Sequence, residues 1–133
     1  MAITGGCHCG AIRYAAAGAY EHHALCHCTD CRRWSGAPMV GWIAFRDDQV
    51  TVNGTPARYA SSEHGVREFC AACGTGLFYC NPAVLPGLID IQTGTLDAPQ
   101  DHPPSAHIMC KEKLSWVDGI GSLPTFATYP GVD

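Results

Sequence analysis

The stretch HALCHCTDCRRWSG, His23 to Gly36, places Cys26, Cys28 and Cys31 within six positions of one another. Three thiols in so short a segment point to metal ligation. A closed tetrahedral zinc site, however, needs four ligands. The same chain carries "GGCHCG" around Cys7 and Cys9, and "FCAACGTG" around Cys70 and Cys73. How these seven cysteines divide among metals decides how the chain folds, because a structural zinc contributes folding free energy outright.

Each motif has its own geometry. Cys70 and Cys73 form a C-x-x-C knuckle, two thiolates three apart on a tight turn. Gly74 after the second ligand accepts the positive φ such a turn needs. Cys7 and Cys9 form C-x-C. Read as strand, residues two apart share a face, so both sulfurs reach one metal. With the knuckle they complete a four-thiolate site. Cys26, Cys28 and Cys31 give three ligands with one coordination position open, the pattern of a catalytic or substrate-binding zinc. Spacing alone also permits Cys28 and Cys31 to pair with Cys70 and Cys73 in an ordinary zinc ribbon, and by arithmetic it leans to that simpler arrangement.

The rest of the composition sets bounds. The chain has 133 residues and is expected to form a single domain, 1–133. Nine cysteines, an odd count, fit poorly with a disulfide framework, and the start "MAITGGCHCG" lacks the basic and apolar regions of an export signal. A reducing, cytoplasmic location is the expectation. A net charge of −4 without a basic block argues against a nucleic-acid partner, and no apolar run is long enough to suggest a membrane span. No feature bears on oligomeric state.

Periodicity reads as mainly β. Strands are expected in "AIRYAA", Tyr20 to Cys28, "PMVGWIAF", "VTVNG", "ARYASS", "VREFC", "GLFYC", "GLIDIQTG" and "SAHIMC". A helical turn is expected over Thr29–Trp34, its N-terminal end favoured by Asp30, and another near Lys113–Asp118. "TLDAPQDHPPS" reads as a long surface loop.

The ordered set "GGCHCGAIRY", "CHCTDCRRWSGAP", "FCAACGT" and "HIMCKEKLSW" resembles the glutathione-dependent formaldehyde-activating enzyme family, also called S-(hydroxymethyl)glutathione synthase-like. The likeness runs from Gly6 to about Phe126. It implies a β-tent fold, small antiparallel sheets organised around a four-cysteine zinc site held by Cys7, Cys9, Cys70 and Cys73. It implies a second zinc on Cys26, Cys28 and Cys31, which would then be the catalytic residues. The implied activity is that of a carbon–sulfur lyase acting on a formaldehyde adduct of glutathione or another small thiol. Met109 and Cys110 stand where relatives often carry an aromatic residue after His-Ile.

Other side chains have candidate roles. The guanidinium groups of Arg32 and Arg33 match a glutathione carboxylate in bidentate fashion. His27 and His8 each sit between two proposed ligands, and strand alternation turns them away from the metal. His22 and His23 are adjacent, so at most one faces the site. His107 and Cys110, three apart, would point to opposite faces of a strand, which weakens a dyad. Trp34 reads as core or pocket wall.

Two rival functions follow from the fold's resemblance to other β-tents. The B-type methionine sulfoxide reductases make Cys110 a candidate redox nucleophile, with Cys80 a distant resolver. Zinc-bound chaperone-like partners of small GTPases suggest a non-catalytic interaction module.

Overall fold

Two sheets of unequal size carry the strands of this computed structural model, which describes residues 2–132. In chain order the elements are β1 (Ala2–Gly6), β2 (Arg13–Ala17), β3 (His22–Cys26), α1 (Thr29–Ser35), β4 (Val40–Arg46), β5 (Val50–Asn53), β6 (Ala57–Ala60), β7 (Val66–Phe69), β8 (Gly76–Cys80), β9 (Leu88–Gln92) and β10 (Ala106–Ile108). Short 3₁₀ turns link them, including Thr93–Thr95, Cys110–Glu112 and Ser115–Ser122. The small sheet has the order β1-β2-β5, the large one β10-β3-β4-β9-β8-β7-β6. All pairings are antiparallel except that of β10 with β3. No helix is long and apolar enough to cross a membrane among the described residues. The mainly β architecture is the one expected from the sequence.

One strand escaped the sequence reading. β1, "AITGG", has a single large apolar residue, Ile3, and so carries little periodic signal. It forms because β2 offers a complete ladder, from Ala2↔Ala17 to Gly6↔Arg13. Gly5 also bridges Leu96. A Cβ at Gly5 would collide with the Tyr14 hydroxyl and the Thr95 carbonyl. The Tyr14 hydroxyl lies 2.8 Å from Thr95 Oγ1, which itself donates to the Gln92 carbonyl at 2.7 Å, so Tyr14 is the donor to Thr95. Gly5→Ala is therefore expected to cost about 1–3 kcal/mol by forcing this contact apart, lowering the melting temperature by on the order of 10 °C. Thermal unfolding checks this; an unchanged midpoint would remove β1 from the folded frame.

The two-residue alternation of the strands divides the interior into two cores. On one face, Ile43, Phe45, Phe78, Ile89 and Ile91 pack with Ile12, Tyr14, Ala16 and Leu96. The Tyr14 ring meets Phe78 edge-on, with centroids 5.5 Å apart. On the other face, Val40 and Trp42 pack with Cys26 and Cys31, and Cys28 and Tyr79 lie against them. Antiparallel register sets Arg67 opposite Tyr79, Tyr79 opposite Asp90, and Asp90 opposite Ala44. Directly opposed residues point to the same side of a sheet. One cross-strand row thus delivers an arginine, a tyrosine and an aspartate to one place.

The helical turn expected at Thr29–Trp34 is α1, one residue longer. Its N-cap is Cys28, whose Sγ accepts the Cys31 N–H at 3.3 Å; Asp30 lies in the first turn but is not the cap. Gly36 ends the helix at φ 69°, its N–H donating to the Arg32 carbonyl at 2.8 Å. The turn expected near Lys113 falls slightly later, in the 3₁₀ segment Ser115–Ser122.

Candidate functional site

The seven clustered cysteines gather into two groups, Cys7/Cys9/Cys70/Cys73 and Cys26/Cys28/Cys31. Within each group all sulfurs lie within 4.8 Å of one another. The ribbon pairing Cys28 and Cys31 with Cys70 and Cys73, toward which spacing leaned, is not the grouping the fold makes. The turn after β1 and the knuckle after β7 are brought side by side instead.

The four-cysteine group is assembled from two turns. The strand expectation for Cys7 and Cys9 needs correction: β1 ends at Gly6, and both cysteines sit in the tight turn leading toward β2. There the Cys7 N–H donates to the Ile12 carbonyl at 3.0 Å, and the Ile12 N–H donates to Cys7 Sγ at 3.2 Å. In the knuckle the Gly74 N–H donates to the Cys70 carbonyl at 2.7 Å, and Gly74 takes a φ of 82°, the conformation expected of it. Cys9 Sγ lies 3.7 Å from both Cys7 Sγ and Cys70 Sγ. Four sulfurs bonded to one zinc at about 2.3 Å would sit roughly 3.8 Å apart, so the donor set fits that ion. Hydrogen bonds from Thr75 lower the Cys73 thiol to about 5, favouring the thiolate a metal needs.

The triplet also straddles a change of structure. Cys26 closes β3, Cys28 caps α1 and Cys31 lies in the helix's first turn. Cys26 Sγ lies 3.4 Å from Cys28 Sγ. Three sulfurs so placed again fit one zinc and leave a fourth position for another ligand. The Cys31 thiol is held well below its ordinary range, first by hydrogen bonding from Cys26, with Arg67's charge adding; Cys26 shifts upward in return.

A cavity of ≈ 380 Å³ opens on the triplet, walled by Trp42, Tyr79, Leu85 and Met109 among others. Arg67 and Asp90, two residues the sequence reading passed over, line it as well. Arg67 is only 3% exposed; its terminal nitrogens donate to Cys31 Sγ at 3.8 and 3.7 Å, and its guanidinium covers the Tyr79 ring at 4.7 Å. Asp90 is 5% exposed, and its Oδ1 has no hydrogen-bond partner among the described residues. Burial pushes its carboxyl up to about 7, and the Cys31 charge adds to the shift. The available signal was charge within a predicted strand, Arg67 with Glu68 in "VREF" and Asp90 alone in "LIDIQ". Such residues are seldom buried without a purpose. The Met109 backbone has φ 56°, the left-handed region a side chain of that size rarely takes.

The arginines after Cys31 go separate ways. Arg32 donates to the carbonyls of His27 and Glu112, each at 3.3 Å, and to Thr29 Oγ1 at 3.2 Å, tying α1 to the Cys110–Glu112 turn. Arg33 is exposed and lines a neighbouring cavity of ≈ 360 Å³ with Asp30, Trp34, Tyr59, Ser61 and Arg67. Trp34 forms a wall there, stacked on Tyr59 with centroids 5.7 Å apart. His27 lies outside the triplet cavity and is fully buried, its Nε2 2.8 Å from His107 Nδ1. The partner of His107 is therefore His27, not Cys110, because parallel pairing sets β10 beside β3. His23 is buried against Thr93 Oγ1 at 2.7 Å, whereas His22 and His8 are exposed. Cys110 is exposed; Cys80 packs against the core, and burial pushes its thiol up to about 11.

Arg67→Met should keep the packing volume and remove the charge beside Cys31. It is expected to weaken metal retention at the triplet by about 10–100-fold while leaving the four-cysteine site alone. Chelator competition followed by metal counting distinguishes the two sites; unchanged release of both metals would contradict it.

A protein-family model described as "Glutathione-dependent formaldehyde-activating enzyme" matches residues 2–112. The chain belongs to this family. Among curated relatives, a Schizosaccharomyces pombe protein described as an uncharacterized lyase is 35% identical over 75 residues, 56% of this chain. That match spans 55% of the yeast protein's own length. A Halomonas elongata protein named "Putative glutathione-dependent formaldehyde-activating enzyme" is 28% identical over 89% of this chain and 81% of its own. The crystal structure of a Rhodobacter sphaeroides protein superposes with a TM-score of 0.63 at 22% identity, covering 79% of this chain and 99% of that one, which speaks for the fold.

Proposed function

We propose that this member of the family is a zinc-dependent carbon–sulfur lyase or synthase of the reducing cytoplasm. It joins a small thiol, such as glutathione, to formaldehyde or a related carbonyl, or reverses that step. The observation that carries this reading is the cavity in which Cys26, Cys28 and Cys31 share a wall with buried Arg67 and Asp90. In the forward direction the thiol sulfur forms a bond to the carbonyl carbon. The C=O π pair becomes a lone pair on oxygen, and the thiol proton ends on that oxygen, giving the S-hydroxymethyl adduct.

A zinc ion held by the triplet would favour the thiolate form of a bound thiol or polarise a carbonyl oxygen. The chain's own residues supply the setting. Arg67 offsets negative charge at Cys31, Trp42 and Tyr79 supply aromatic walls, and Cys28 would combine ligation with the helix capping it performs. If glutathione is the thiol, Arg33 in the neighbouring cavity is the cationic group available to its carboxylate, since the Arg32 donors noted above are engaged within the fold.

The test is exchange spectroscopy on zinc-loaded protein with a thiol and formaldehyde. Acceleration of adduct formation and breakdown above the uncatalysed exchange is expected, and a rate equal to the blank would refute the enzyme reading. The interaction-module reading has one observation in its favour. Trp116, Leu123, Phe126 and Tyr129 are exposed in the segment after the matched region, and none lines the cavity. Zinc-loaded protein that binds no small thiol but retains a protein partner would favour it. The redox reading has less support, because the Cys80 thiol is shifted away from reactivity.

A further inference from the structure

The charges around the triplet cavity point to a narrower substrate class. Its acidic residues are Asp30, Asp90 and Glu112, and its basic residue is Arg67. Arg67 is already engaged by Cys31 Sγ and the Tyr79 ring. The Arg32 donors face backbone and Thr29 instead. Glu112 Oε1 accepts the Thr29 N–H at 3.2 Å. Among the described residues that line this cavity, a carboxylate would meet three acids and no cationic side chain left free. An ammonium entering the cavity would meet Asp90, which lines it and whose buried Oδ1 has no hydrogen-bond partner among the described residues. A buried acceptor left unmatched carries a desolvation cost, which a charged donor from the ligand would offset.

Position supports this. Asp90 sits in the cross-strand row with Tyr79 and Arg67, on the face that carries Trp42 and the triplet. The aromatic walls favour a cation over an anion, because ring faces are negative. At ≈ 380 Å³ the cavity is at the small end for ligand sites, matching a compact molecule better than an extended tripeptide.

We propose that Asp90 makes this cavity selective for a compact thiol bearing an ammonium group near its sulfur, over anionic thiols such as glutathione. This rests on the triplet cavity being a thiol site, as proposed above. Asp90 accepts the ammonium N–H while the sulfur lies toward Cys26, Cys28 and Cys31. Asp30 and Glu112 add to the same charge preference.

The test uses thiols of one size and three charges: cysteamine, 2-mercaptoethanol and mercaptoacetate, with glutathione alongside. Each is titrated calorimetrically into zinc-loaded protein, and metal content is counted afterwards. Cysteamine is expected to bind at least about tenfold tighter than 2-mercaptoethanol, with mercaptoacetate and glutathione weakest. Asp90→Asn is expected to bring cysteamine to within about twofold of 2-mercaptoethanol. Should that variant fold poorly, the ranking on the wild-type protein decides alone. Mercaptoacetate or glutathione binding as tightly as cysteamine would overturn the selectivity and leave the thiol site standing. Persistence of the cysteamine advantage in Asp90→Asn would do the same. Failure of every thiol to bind would remove both the selectivity and the thiol site.

Discussion

Cys7→Ser is expected to yield no stably folded protein. Cys7 is 7% exposed and sits where the turn after β1 meets the knuckle of Cys70 and Cys73. A serine hydroxyl is a poor substitute for thiolate, so the four-sulfur set drops to three. Structural zinc binding is worth about 10–16 kcal/mol in small zinc domains, comparable to the ~5–15 kcal/mol that holds a whole domain together. The substitution also weakens the Ile12 N–H contact to Cys7 Sγ, which shapes the same turn. Soluble yield, metal content and thermal unfolding measure the effect. Recovery of folded protein with a midpoint near wild type would show that this group is not structural. Cys73→Ser, on the other turn, should behave alike.

Cys28→Ser should act in the opposite way, sparing the fold and removing the chemistry. Cys28 has two roles, sulfur of the triplet and N-cap of α1. Serine is among the best N-caps, so its oxygen can accept the Cys31 N–H in place of sulfur. Helix and core should persist, with the melting temperature within a few degrees of wild type. The triplet, cut to two thiolates, should lose its metal, leaving one zinc per chain. Thiol–carbonyl exchange should fall by about 10²-fold or more, since the reacting group would lose its Lewis acid. A second zinc surviving the change would mean that the triplet is not its holder. A collapse like that of Cys7→Ser would mean that both clusters are structural.

Much of the fold was legible because strands announce themselves locally. The continuous apolar run "PMVGWIAF" and the alternating "GLIDIQTG" are bounded by Gly, Pro or charged residues, and each became a strand with only its ends displaced. β1 was not legible, because "AITGG" has too few side chains to show a period and depends on β2 for its ladder. The C-x-C pairs were recognisable as candidate ligands; strand alternation was the wrong reason for Cys7 and Cys9, whereas Cys26 ends β3, Cys28 keeps an extended backbone and His27 between them lies outside the cavity. The chain turns around Cys7 and Cys9, and in the triplet it turns only after Cys28, into α1.

Arg67 and Asp90 show where local reading ends. Asp90 is the one charged residue of β9 and Arg67 stands beside Glu68 in β7, and nothing nearby in sequence marks them as neighbours. Antiparallel register through Tyr79 brings them to one face, and α1 covers that face with Cys28 and Cys31. Likewise His107 became the partner of His27 only because β10 lies parallel to β3.

The sequence by itself determined which residues can ligate, where most of the strands and helix α1 fall, and what family the motifs resemble. Spacing left open how the seven cysteines divide; the tertiary structure makes the grouping that the resemblance implies, and it alone decided which charges line the cavity. Ligand identity and strand period are properties of short segments. The meeting of Cys7 with Cys70, or of Arg67 with Asp90, depends on pairing between strands that any local pattern leaves open.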